Sequence, residues 1–450
     1  MFEHRNQLGR RAIIASALAA AATRLAHAQT PSAPPPIIFV HGNGDTAGLW
    51  LTTLWRFGSN GHPAERMVAL DLRYPLARDK DDTPQPGRSS AADVMEQLAA
   101  EVTRVRSATG APKVILVAQS RGGNTVRNYL KNGGGAAQAE MAVLCGAINH
   151  GVIVSDKYLV GSEFNGASPF MIDLNSTPGE VLPGIRYATI RSDDDDKYAQ
   201  PLGTYLGLPG VPTGLSFDAP DLRGATKFVL PGVDHRETGY SPEAFATMYG
   251  FITGGRPRAI AIAAEPRPML GGKVSGFEAG APTNIGIAGA SVTIFEVSPD
   301  TGERRGDAAY TKTTGADGLW GDFAADPEAA YEFVLAIENY PTTHIYRSPF
   351  PRSSAIVDMR PQPPADADKS AKAVIYMTRP RGYFGIGRDT ITLGGRIPTD
   401  IAPGVPSVSS TRLAAGLDAG PIPGRFNAET IVARPWPARD GHVSVIELTY

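Results

Sequence analysis

The chain of 450 residues has one cysteine, Cys145, so no disulfide can close within it and its stability must come from packing. Cys145 lies in the apolar run Met141 to Gly146, the setting of a buried small hydrophobe and not of a nucleophile. Neither sign of charge dominates: 43 Lys and Arg face 45 Asp and Glu, a formal net charge of -2. Without a basic surplus, nucleic acid and acidic lipid are disfavoured as partners, and a small or neutral molecule is expected. Long apolar runs are also missing. The best candidate, Ala12 to Ala22, is too short and too rich in alanine to span a bilayer. Histidine is scarce, with eight in the chain. They are scattered, and the acidic run Asp193 to Asp196 lacks the ligand spacing of a calcium loop, so no metal is expected. No glycine loop with a lysine is there to cradle phosphate, and no cofactor is expected.

Glycine and proline are abundant instead, 50 and 38 residues, and their turns cluster in the second half, which suits a β-rich portion. A length of 450 with 42% hydrophobic residues supports two or three cores and at least two domains. The N-terminus reads as an export signal over 1–28: Arg10-Arg11, the alanine-rich run, then Ala26-His27-Ala28 as a small-x-small cleavage site before Gln29. Paired arginines followed by Ile13 and Ile14, with Arg24 before the cleavage site, favour the twin-arginine route, although Gly9 and Ala12 depart from its fullest form. A periplasmic or extracellular protein is expected.

Short apolar runs alternate with helical patterns as far as about Arg256. The candidate strands are Ile37 to Val40, Met67 to Leu70, Val114 to Val117, Met141 to Cys145, Tyr187 to Ile190 and Lys227 to Leu230. Each reads as a strand buried on both faces, and the alternation predicts an α/β fold with a mostly parallel sheet covered by helices over 29–256. Val94, Leu98, Val102 and Val105 recur at helical spacing, and Ser241-Pro242-Glu243 starts another helix with a serine cap. The segment 257–272 reads as a linker. Beyond it, Ser291 to Val297 and Tyr331 to Ile337 read as strands, and Gly315-Ala316-Asp317-Gly318 as a hairpin turn. The proline-rich break Pro361 to Pro364 then separates a β-sandwich over 273–362 from a second β-rich portion over 371–450.

Chemistry concentrates at Ala118-Gln119-Ser120-Arg121-Gly122, which follows an apolar run and opens a helix-compatible stretch. Strand, sharp turn and helix with serine at the apex make a G-x-S-x-G type nucleophile elbow, which needs small residues on both sides because neighbouring backbones approach closely. A serine needs a base, and the base an acid that fixes its tautomer. Of His41, His62, His150, His235, His344 and His442, only His235 follows both the acidic loop and a predicted strand, so it is the expected base. His41 reads as a loop brace. Among the four adjacent aspartates, Asp196 is chosen as the acid because it precedes a partly apolar segment and Pro201, with Asp195 second. The amides of Asn43, in the His41-Gly42 loop after the first strand, and of Arg121 are the expected oxyanion donors. A long connection, with a cap expected over 151–184, contains Tyr158, Leu159, Phe164, Phe170, Met171 and Leu174; it suits an acyl chain or a satellite core beneath a loop.

These residues resemble the α/β-hydrolase lipases and carboxylesterases. More narrowly, Ser241-Pro242-Glu243-Ala244-Phe245-Ala246-Thr247-Met248, Tyr331-Glu332-Phe333 and Tyr346-Arg347-Ser348-Pro349-Phe350 are similar to the archaeal-type lipases that append a β-rich C-terminal domain. Ala118 stands where glycine is commoner. The resemblance implies ester hydrolysis of acyl lipids, with the C-terminal domain assisting binding to a lipid aggregate. Gly289-Ala290-Ser291-Val292, Thr313 to Gly318 and Tyr331-Glu332-Phe333 look similar to a transthyretin-like sandwich. The expected function is an exported serine ester hydrolase; the alternatives are an extracellular polyester depolymerase and a non-catalytic surface-binding protein on a hydrolase scaffold. Nothing in the sequence specifies an oligomeric state.

Overall fold

The computed structural model describes residues 33–368 and 370–450, so the signal-peptide reading over 1–28 lies outside the described residues. Eight strands come first: β1 (Ile37–Val40), β2 (Met67–Leu70), the short pair β3 (Leu76–Ala77) and β4 (Arg88–Ser89), β5 (Val114–Gln119), β6 (Ala139–Cys145), β7 (Arg186–Ser192) and β8 (Thr226–Leu230). Six of them form a parallel sheet in the order β2-β1-β5-β6-β7-β8. Side chains alternate between two cores. Ile38, Val40, Leu116 and Ala118 pack on one face, and Ile37, Phe39, Ile115 and Val117 on the other. Both faces are apolar, which is why these strands read as continuous hydrophobic runs. The edge strand β8 departs from the expectation of burial on both faces: it ends the sheet with a strand on one side only, and Thr226, Lys227 and Val229 are exposed.

The sheet is flanked by α1 (Leu51–Ser59), α2 (Ala91–Thr109), α3 (Arg121–Asn132), the short α4 (Pro169–Leu174) and α5 (Glu237–Tyr240), and α6 (Pro242–Thr253). Ser90 caps α2 in a capping box with Asp93, and Val94, Leu98, Val102 and Val105 form its buried stripe. Ser241 caps α6 with Pro242 at its first turn, as the sequence predicts. No helix among the described residues is long and apolar enough to cross a membrane.

The β-rich region comprises β9 (Met269–Lys273), β10 (Ser275–Glu278), β11 (Ala281–Gly286), β12 (Ser291–Val297), β13 (Tyr310–Thr313), β14 (Leu319–Ala324), β15 (Ala330–Ala336), β16 (Thr342–Arg347), β17 (Ala373–Thr378), β18 (Ile391–Leu393), β19 (Ser410–Ala415), β20 (Ile422–Phe426), β21 (Glu429–Ala433) and β22 (His442–Glu447). β9 begins inside the stretch read as linker and pairs with β14. The stretches 273–362 and 371–450, expected as two portions, contribute to one seven-stranded sheet, β13-β12-β15-β16-β22-β17-β19, because the final strand β22 lies parallel between β16 and β17. The expected hairpin at 315–318 is a turn between sheets instead. β13 pairs with β12 and β14 with β9, since the carbonyl of Gly318 is taken by the amide of Val274 at 2.8 Å. The core of this region also takes Leu51 and Trp55 from α1, and the Trp55 indole donates to the Ser353 carbonyl at 3.1 Å.

Candidate active site

Ser120 follows the last residue of β5 and caps α3 with φ 54° and ψ -125°, a backbone conformation that costs about 1–3 kcal/mol and persists only where surroundings impose it. The surroundings are tight. A Cβ on Gly122 would lie 2.6 Å from the Val40 carbonyl oxygen, and one on Gly42 would lie 2.9 Å from the Ser120 Cβ, so both positions demand glycine. The apex thereby stands beside the loop after β1.

His235 lies beyond β8, buried at 2% exposure. Its Nδ1 is 2.8 Å from Asp196 Oδ2, while the other Asp196 oxygen accepts from the Tyr198 amide at 2.8 Å. Its carbonyl accepts from Gln119 Nε2 at 3.0 Å and from Thr238 Oγ1 at 2.7 Å, so β5 itself holds the histidine loop. The ring of Tyr198 meets the imidazole edge-on at a centroid distance of 4.7 Å. His235 Nε2 is buried and finds no hydrogen-bond partner among the described residues. Ser120 and His235 line one cavity of about 340 Å³. A base whose Nδ1 is held by a carboxylate leaves Nε2 for a proton donor.

Each residue singled out from the sequence has a definite place. Asn43 lines the cavity, with its Oδ1 accepting from the Ala77 amide at 2.8 Å, which fixes the loop that carries its own backbone N–H. Arg121 occupies the first turn of α3, where amides lack helical partners. Its side chain turns away into a buried network with Glu163 (2.8 Å from Nε), the carbonyls of Pro75 and Ser89 and the Ser89 hydroxyl. Burial pushes the Glu163 carboxyl upward against the pull of Arg121. Asp195, the second candidate acid, is half-buried, and burial raises its carboxyl despite Arg388. Asp193 accepts from the Gly232 amide at 3.2 Å, so it braces the loop that leads to His235. His41 is fully buried between the Gly42 carbonyl (2.9 Å) and the Leu72 amide (3.1 Å), and burial holds its pKa down.

From the connection after β6, Tyr158, Leu159 and Phe164 line the cavity, whereas Met171 and Leu174 are buried in α4. Ile148, Val152, Leu206 and Leu208 complete an apolar wall. Sequence reasoning missed the polar rim. Asp45 and Arg236 face the cavity as an ion pair at 2.5 Å, and Tyr383 reaches it from the β-rich region. Lys197 sits over the rings of Tyr198 and Tyr383, at 4.9 and 4.4 Å, and burial, with Arg236 nearby, pulls its ammonium down to about 8. Asp45 was findable in the loop after β1. Tyr383 lies in a glycine-flanked loop with no periodicity, and no sequence signal marks it.

A parallel sheet covered by helices, with a serine on the strained bend after a central strand, places the chain among the α/β-hydrolases. Residues 34–202 match the model of class 2 lipases, and residues 269–364 match that of the lipase C-terminal domain. The chain thus carries a segment matching the class 2 lipases, on an α/β-hydrolase fold, followed by one matching the lipase C-terminal domain. Solved structures similar to it include Aspergillus fumigatus lipase B (16% identity, 51% of this chain and 55% of that one, TM-score 0.36) and mature Bacillus licheniformis lipase BlEst2 (20%, 49% and 93%, TM-score 0.37). The carboxylesterase CesB of Bacillus subtilis is a further one (16%, 50% and 86%, TM-score 0.28). The chain thus spans little more than half the length of the Aspergillus lipase. No curated protein matches it.

Proposed function

We propose that the protein is an exported lipase or esterase that cleaves acyl esters through an acyl-enzyme on Ser120. In this reading His235 takes the Ser120 proton as the hydroxyl attacks the ester carbonyl, and Asp196 steadies the imidazolium. The amides of Asn43 and Arg121 hold the oxyanion. His235 passes its proton to the departing alcohol, then activates the water that releases the acid. The acyl chain lies against Ile148, Val152, Phe164 and Leu208. The observation that carries this reading is the 2.8 Å Asp196–His235 pair with a free Nε2 in the cavity that Ser120 lines. Export by way of the 1–28 signal belongs to the same reading, and the secreted chain would begin at Gln29.

The test is Ser120→Ala assayed on p-nitrophenyl esters of graded acyl length. Turnover should fall by at least about a thousandfold while the circular dichroism spectrum stays that of the native chain. Turnover at the native rate would reject the serine.

A further inference from the structure

We propose that the segment after β17, residues 379–408, is part of the catalytic apparatus: Arg379, Arg388 and the Tyr383 backbone position the histidine loop, and the Tyr383 ring walls the ester pocket. The proposal rests on the reading of Ser120, His235 and Asp196 given above, and it assigns the β-rich region a role other than lipid adhesion.

The histidine loop is an unstable object alone. Asp234 and Glu237 flank His235, and Asp234 is fully buried. Burial and the charge of Glu237 push the Asp234 carboxyl upward. A buried carboxylate without partners is costly, and two adjacent ones more so. Half of what Asp234 needs comes from its own loop, the amides of Arg236 at 2.8 Å and Glu237 at 2.9 Å on Oδ1. The other half is remote. Arg379 Nη1 donates to Oδ2 at 2.8 Å, and the Tyr383 amide donates to the same oxygen at 2.7 Å. Arg379 also donates to Glu237 Oε1 and to the Tyr240 hydroxyl, and Arg388 Nη1 reaches Glu237 Oε2 at 2.8 Å. Two guanidinia therefore meet two carboxylates on either side of the base, in a forked geometry that fixes direction as well as charge.

The same segment holds the acid loop. Lys197, next to Asp196, donates to the Ser407 carbonyl at 2.8 Å and lies over the Tyr383 ring, and the Tyr205 hydroxyl accepts from the Val405 amide at 3.1 Å. The ring of Tyr383 also carries the Arg236 guanidinium at 4.9 Å, so one aromatic side chain touches both loops and the pocket. Base and acid lie on separate loops, and a displacement of about 1 Å between such groups costs about a hundredfold in rate.

The experiment compares Arg379→Met, Arg379→Lys, Tyr383→Leu and, as a destabilising control remote from the cavity, Arg304→Met, which removes one partner of the buried Glu332. Each is assayed on an acyl-length series below its melting temperature. Arg379→Met should lose about a hundredfold in kcat with little change in KM, Arg379→Lys should recover part of it, and Arg304→Met should keep native kcat. Tyr383→Leu should change KM and the preferred acyl length. If Arg379→Met does not fold, Tyr383→Leu together with Arg388→Met decides the matter by the same split. Native kcat, KM and chain preference in the folded variants would overturn the proposal, as would equal losses in Arg304→Met. Reaction of the native enzyme with a fluorophosphonate at Ser120 is read alongside. Its absence would refute the serine reading itself, whereas labelling with unaffected variants refutes only the clamp.

Discussion

The two halves of the site are held by different means. The nucleophile half is built from its own neighbourhood: the strained Ser120 is wedged by Gly42 and Gly122 against the loop after β1, and Arg121 is anchored by Ser89, Pro75 and Glu163. The half that carries His235 is also held by residues more than 140 positions downstream, Arg379, Tyr383 and Arg388. A bend between a strand and a helix is a local object, whose geometry the chain dictates within a few residues. A loop that carries a histidine between two acidic residues is not. Its own amides and Gln119 hold part of it, and a second region supplies the charge opposite its carboxylates.

The largest effect that sharpens this contrast falls on the acid. Asp196→Asn should lower kcat by about 10³ to 10⁴-fold, because the amide favours the wrong imidazole tautomer. Asp193→Asn, which touches only the braces on Gly232, Asp194 and Ser192, should cost far less. Equal small losses in the two variants would remove Asp196 from the role its 2.8 Å contact suggests.

A smaller effect concerns a second place where the two regions meet. At the histidine loop guanidinia meet the carboxylates, whereas at Asp358 burial outweighs Lys273 and Arg347. Burial and the charge of Asp71 push the Asp358 carboxyl up to about 7, although Lys273 lies between them at 2.5 Å from Asp71. The folded chain keeps this proton up to about pH 7, whereas the unfolded chain releases it near 4, so folding takes up a proton in that window. Stability from this group is present at low pH and is lost as pH rises through about 7. Asp358→Asn, which cannot ionise, should therefore gain roughly 1–2 kcal/mol over the native chain above pH 7 and progressively less below it. Denaturant titrations at pH 5 and pH 8 check this, and a gain that is the same at both would contradict it.

The same contrast explains what the sequence reveals. The strands of the parallel sheet are legible where both faces are apolar, α2 by its periodic stripe and α6 by its Ser241 cap. Ser120 is legible for its local bend, and His235 because so few histidines follow a strand. The exposed face of β8 and the joining of the two β-rich stretches are not legible. The first depends on which strand ends the sheet and the second on where β22 inserts, and both are decided by pairing between distant segments. The rim residues Arg236 and Tyr383 are hidden for the same reason, while Asp45 is marked by its place in the loop after β1. Those two look like ordinary surface polar groups until the fold brings them to Asp45 at the cavity.

The central claim is that Ser120 is a nucleophile activated by His235. It is tested most directly by treating the native protein with a fluorophosphonate probe and mapping the adduct by peptide mass spectrometry. The account predicts one adduct, on the peptide that contains Ser120, formed in step with the loss of esterase activity and absent in His235→Ala. An adduct elsewhere, or inactivation that leaves Ser120 unmodified, would contradict it.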